Sequence, residues 1–124
     1  MLRGIVFGVL LFISGGVFAA APTCSSTPTP YCQYTGKVQK IYINSSGGIL
    51  LYFDTRLDKA VAESVGFTPT NTSAAHYLVS TNPDFAKMFY STALAAQASK
   101  RNVTIQMRGT SSGYLKFDRI WLAE

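Results

Sequence analysis

The side chains able to do acid–base, nucleophilic or metal chemistry are few, and their spacing argues against most of it. His76 is the only histidine among 124 residues. It stands beside Tyr77 with no serine or cysteine nucleophile near it in sequence, so a histidine satisfied within the structure is a better expectation than a general base. Asp54 and Asp58 have the two-carboxylate composition that glycoside hydrolysis uses. Arg56 and Lys59 sit beside them, which makes salt-linked surface residues the expected reading. Gly47-Gly48 reads as a turn, and no glycine-rich phosphate loop occurs. Cys24 and Cys32 are the only cysteines; their spacing suits neither a redox pair nor a metal site, and a disulfide in an oxidising compartment is expected. No catalytic residue, metal or cofactor is therefore expected. For ligand contact, Arg108, Tyr114 and Trp121 offer a guanidinium and two aromatic surfaces near the last two strands, the combination a carbohydrate site needs. Core packing is the competing expectation for Trp121.

These residues must be positioned by elements, and the best specified runs from Thr81 to Met107. Asn82 can cap a helix, Pro83 suits the first turn, and Asp84 adds negative charge at the positive dipole end. Phe85, Met88, Phe89, Thr92 and Ala96 recur at helical spacing and predict the buried side. Lys100 and Arg101 close the helix, Asn102 is expected in the left-handed cap conformation, and Val103, Ile105 and Met107 then alternate with polar residues as a strand. Tyr90, Leu94 and Ala98 form a second apolar stripe. Subunit contact is one reading of that stripe, and deeper burial of the helix is the other.

Upstream, residues 1–19 read as a signal peptide: a positive start with Arg3, an apolar run from Ile5 to Ile13, and the small residue Ala19 at the cleavage site. An uncleaved membrane anchor is the alternative, although the run is shorter than the ~20 residues of a span. No later segment is long enough to cross a bilayer, and the expected location is secreted or periplasmic. Without Arg3 the chain keeps ten basic against six acidic side chains, dispersed rather than clustered. Export argues against nucleic acid, and the mild positive charge allows attraction to acidic glycans or anionic surfaces.

Residues 20–33 read as a disulfide-held N-terminal arm, and residues 34–124 as the domain. Tyr34 to Ile43 changes phase at Val38, which predicts a bulge or bend in one strand. Residues 44–48 form a turn and 49–54 a second strand with cover on both faces. A short helix or compact loop fits between Asp58 and Gly66, then strands at 75–80, 103–108 and 114–122, the last with a further change of phase. The order β-β-β-α-β-β predicts a mainly β fold with one helix, a five-stranded OB-type barrel. An open antiparallel sheet crossed by one helix uses the same pieces.

The signal peptide, the strand order and the run FAKMFYSTALAAQASKRNVTIQM resemble the B subunits of pentameric AB-type bacterial toxins, especially the subtilase-cytotoxin and pertussis-like branch. The likeness in element order covers roughly Tyr34 to Leu122, and its sequence detail is specific only around the helix, at Phe89-Tyr90-Ser91-Thr92 and the strand after it. The resemblance implies an OB barrel, a homo-pentamer with helices around a central pore, a glycan or other cell-surface ligand, and an enzymatic A subunit as partner. The family commonly carries its disulfide inside the barrel, whereas both cysteines here precede it. A monomeric periplasmic OB-fold protein acting in envelope stress or as an inhibitor of a partner protein is the alternative function.

Overall fold

The computed structural model describes residues 21–123. The expected signal peptide lies outside them. Seven strands, β1 (Thr23–Ser25), β2 (Tyr31–Lys37), β3 (Ile41–Ile43), β4 (Gly48–Tyr52), β5 (Ala74–Leu78), β6 (Asn102–Ser111) and β7 (Tyr114–Leu122), form one mixed sheet in the order β1-β2-β6-β7-β5-β4-β3. A short helix, α1 (Lys59–Glu63), precedes β5, and the main helix, α2 (Pro83–Ser99), lies between β5 and β6. The fold is mainly β with one main helix. All pairings are antiparallel except β5 with β7, which meet in parallel at Ala75↔Leu115 and His76↔Lys116.

Two features separate this sheet from the expected five strands closed as a barrel. The arm is not merely extended: it adds β1, because Cys24 and Cys32 are bridged and stand directly opposite each other in the β1–β2 ladder. β2 runs unbroken from Tyr31 to Lys37, across the expected arm–domain boundary at 33/34. The bent strand of residues 34–43 is instead two strands, β2 and β3, interrupted at Val38, Gln39 and Lys40.

That interruption shapes the whole sheet. β2 and β3 have four strands between them, so a flat sheet would hold them about 24 Å apart. The link from Lys37 to Lys40 and on to Ile41 reaches only about 14 Å. The sheet must therefore curl, although no β2–β3 ladder closes it. Tyr34 holds the bend: its hydroxyl donates to Lys37 O at 2.8 Å and accepts from Asp54 N at 3.2 Å, while Asp54 Oδ2 accepts from Lys37 N at 3.1 Å. Gly36 is required there, since a Cβ would lie 2.5 Å from the Tyr34 hydroxyl oxygen. Burial pushes the Tyr34 phenol well above its ordinary pKa, so it stays a neutral donor.

The helix begins as its sequence dictates. Asn82 Oδ1 accepts from Phe85 N at 3.1 Å, with Pro83 and Asp84 in the first turn. Its end differs from expectation: Lys100, not Asn102, takes the left-handed cap conformation (φ 56°), and Asn102 already belongs to β6. Its buried side is also rotated. Ala86, Phe89, Ala93 and Ala96 are buried, whereas Met88, expected inside, is 63% exposed. Alanine lets the helix approach the sheet closely enough for Phe89 to stack on Phe117, ring centroids 3.9 Å apart. Around this pair lie Tyr34, Leu51, Val103, Ile105, Met107 and Leu115 as one core.

β7 keeps its expected bounds and its change of phase. The register shifts near Gln106 and Met107, leaving Asp118 as an extra residue between Phe117 and Arg119. A second shift brings Thr110 opposite Leu115. These bulges turn β6 and β7 while keeping Leu115, Phe117 and Ile120 on the core side.

Candidate functional site

Alternation in three neighbouring strands builds a polar panel on the outside of the curled sheet. In β2 the inward positions are Cys32, Tyr34 and Gly36, leaving Tyr31, Gln33 and Thr35 outward; in β6 Val103, Ile105 and Met107 point to the core, leaving Thr104, Gln106 and Arg108 outward. Register then aligns Thr35, Thr104 and Trp121 in one row, and Gln33, Gln106 and Arg119 in the next. Tyr31, Arg108 and Asp118 complete the panel.

Its side chains are tied across the strands. Thr35 Oγ1 and Thr104 Oγ1 share a hydrogen bond at 2.9 Å, and Gln106 Nε2 donates to Gln33 Oε1 at 3.0 Å. Asp118 Oδ2 accepts from Arg119 Nε at 2.9 Å and lies 3.5 Å from Arg108 Nε. Arg108 also donates from Nη1 to Thr29 Oγ1, and its guanidinium carbon lies 5.8 Å from the centre of the Tyr31 ring. Trp121, 41% exposed, ends one row. An exposed indole beside fixed hydroxyl, amide and guanidinium groups can stack on the C–H face of a sugar and bond its hydroxyls.

Of the three ligand residues expected from sequence, Arg108 and Trp121 share this panel. Tyr114 does not. It starts β7, seven residues or about 23 Å of strand from Trp121, and stacks on His76 with centroids 6.0 Å apart. Gln33, Thr35, Thr104, Gln106 and Arg119 were not singled out by sequence. Their polar alternation was visible at Thr104 and Gln106, but which strands adjoin was not.

The His76 environment is a second cluster. Its Nδ1 lies 2.9 Å from Ser111 Oγ, so the fold supplies the serine that the neighbouring sequence lacks. On the other side of the ring, a Cβ at Gly48 would come 2.9 Å from Nε2. Burial lowers the pKa of this imidazole and favours its neutral form. A serine–histidine pair becomes a strong nucleophile when a third group orients the imidazole; no carboxylate touches His76 among the described residues. What the pair does visibly is tie β5 to the end of β6.

Asp54 and Asp58 are parted by their local bonds. Asp54 secures the bend at Lys37 N, and Asp58 caps α1 by accepting from Ala60 N at 3.0 Å. Their expected salt links are replaced as well: Lys59 pairs with Glu63 at 3.9 Å. Among the described residues no group of three or more His, Cys, Asp or Glu side chains could hold a metal ion. No described helix is long and apolar enough to cross a membrane.

The second helix stripe lies on the flank next to β3. Tyr90 joins Ile43, Ile49, Val79, Ala86 and Lys87 around an apolar groove of about 150 Å³. One turn further, Leu94 is 38% exposed, and Ala98 is exposed beyond it. β3 ends the sheet, so its outer edge has no strand partner among the described residues. Comparison of the chain with protein-family models, with curated proteins and with solved structures finds no match in any of the three.

Proposed function

We propose that this is a non-catalytic, secreted or periplasmic binding protein of the toxin B-subunit type, which recognises carbohydrate as a ring of identical subunits. The observation that carries the reading is the division of its surface. The β2–β6–β7 panel presents polar groups bonded to one another with an exposed Trp121, whereas the β3 edge and the adjoining side of α2 leave an apolar groove between Ile43 and Tyr90, with Leu94 exposed one turn further. A sugar suits the first surface and a second copy of the chain the other.

The OB-type barrel belongs to the same proposal. Counted as halves of one bent strand, β2 and β3 bring the two ends of the curled sheet together through residues 38–40, and β4, β5, β6 and β7 complete a set of five around α2. Such barrels are only partly closed. β1, held by the disulfide, is an addition to that plan. The disulfide suits an oxidising compartment outside the cytoplasm.

Native mass spectrometry of the protein, beside a Leu94→Glu variant, tests assembly. A five-fold mass that collapses in the variant is the expected result, and a monomer for both proteins refutes the ring. A glycan array with a Trp121→Ala variant tests the panel. Binding should vanish while the mass is unchanged.

A further inference from the structure

At the opposite end of α2 from its capped start, a cleft of about 250 Å³ opens between the helix and the link that joins β2 to β3. Lys37, Val38 and Gln39 line one side; Ala96, Gln97, Lys100 and Arg101 line the other. Three basic residues and, among the described residues, no acidic one line it. The negative end of a helix is an ordinary place for cations, but here three of the carbonyls at that end already have partners. Ala96 O accepts from Arg101 N at 3.0 Å, Gln97 O from Lys100 N at 3.3 Å, and Lys100 O from Lys37 Nζ.

The remaining charge is unbalanced. Among the described residues the carboxylates in ion pairs are Glu63 and Asp118, and their partners are Lys59, Arg108 and Arg119. Among those residues Lys37, Lys100 and Arg101 have none, and the Lys100 ammonium and the Arg101 guanidinium make no hydrogen bond with another described residue. Asp54, which accepts from Lys37 N, does not line the cleft. Gln97 Nε2 donates to Gln39 O at 3.2 Å and braces the two walls.

We infer that this cleft binds a phosphate monoester carried on a sugar. A guanidinium can grip two phosphate oxygens at once while lysines supply compact charge beside it. Gln39 and Gln97, both exposed, offer groups for sugar hydroxyls. The site is separate from the outer panel and does not rest on carbohydrate binding there or on ring assembly.

The test is an NMR titration of the protein with glucose 6-phosphate, with glucose as control. Amide shifts should cluster at 37–39 and 96–101, and glucose alone should produce none. A Lys37→Gln/Arg101→Gln variant should bind about tenfold more weakly or worse. A Lys59→Gln/Lys116→Gln variant, equal in charge, should bind normally. Shifts spread over the whole surface, equal loss in both variants, or no binding would overturn the proposal. Phosphatidylcholine vesicles carrying a glycolipid with a sugar phosphomonoester separate the sources. Vesicle capture that the cleft variant loses identifies a lipid-borne ligand, and soluble binding without capture a free sugar phosphate. Capture that the cleft variant retains refutes the cleft.

Discussion

The outer panel of β2, β6 and β7 and the flank formed by β3 and α2 are both surfaces of one small domain, yet the panel is polar and internally bonded where the flank is apolar. On the panel Thr35 bonds Thr104 and Gln33 bonds Gln106 across β2 and β6, Arg108 pairs with Asp118 across β6 and β7, and Arg119 bonds its neighbour Asp118, although the buried Arg108 Nε itself has no hydrogen bond. On the flank, Tyr42 and Ile43 sit 44% and 50% exposed on an edge with no strand partner among the described residues, and Ile43 shares an apolar groove with Tyr90 of the helix. Bonded polar groups can face water indefinitely, whereas an apolar strip on a bare edge gains from cover. On that difference rests our proposal of ligand contact for one surface and self-association for the other.

The largest effect should come from placing charge on the flank. Leu94→Glu should reduce the assembly to single chains without unfolding them, seen as native mass falling while circular dichroism is retained. Next is the bend that parts the two surfaces. Gly36→Ala forces a Cβ onto the Tyr34 hydroxyl and should cost about 1–3 kcal/mol in chemical denaturation. A smaller cost, about 1 kcal/mol, is expected for Thr104→Val, which removes one partner of a cross-strand bond on the panel. If that substitution disrupted assembly, the two surfaces would not be independent.

His76 should give the smallest effect, one that depends on pH. Burial lowers its folded pKa, whereas the unfolded chain takes up a proton near the ordinary value of about 6.5. Below that value the unfolded state binds more protons, so stability should be complete at neutral pH and fall on acidification until the folded pKa is passed. His76→Gln should flatten this slope in thermal melts from pH 7 to 5. An unchanged slope would assign the acid sensitivity elsewhere.

Features set by neighbouring residues were legible in the sequence. Asn82-Pro83-Asp84 specified the start of α2, and the shift from Leu115 and Phe117 to Ile120 and Leu122 anticipated the bulge at Asp118, although Leu122 is exposed. The rotation of α2 was not, because counting large side chains favours Met88, while close packing is achieved by Ala86, Ala93 and Ala96. The panel depends on pairs such as Thr35 with Thr104, 69 residues apart, which local alternation cannot reveal. Tyr114 was grouped with Trp121 because both lie on β7, yet the length of that strand puts them in different environments.

The parallel contact of β5 with β7 has a mechanical consequence. β3, β4 and β5 follow one another as an antiparallel meander, and β1, β2, β6 and β7 form a second antiparallel group. Only Ala75↔Leu115 and His76↔Lys116 join the two in register. Such a molecule has a seam. Under load or in a partial opening, the sheet should part along β5 and β7, with α2 spanning the seam as the rivet through Phe85 against Tyr77 of β5 and Phe89 against Phe117 of β7, and each half keeping its own ladders.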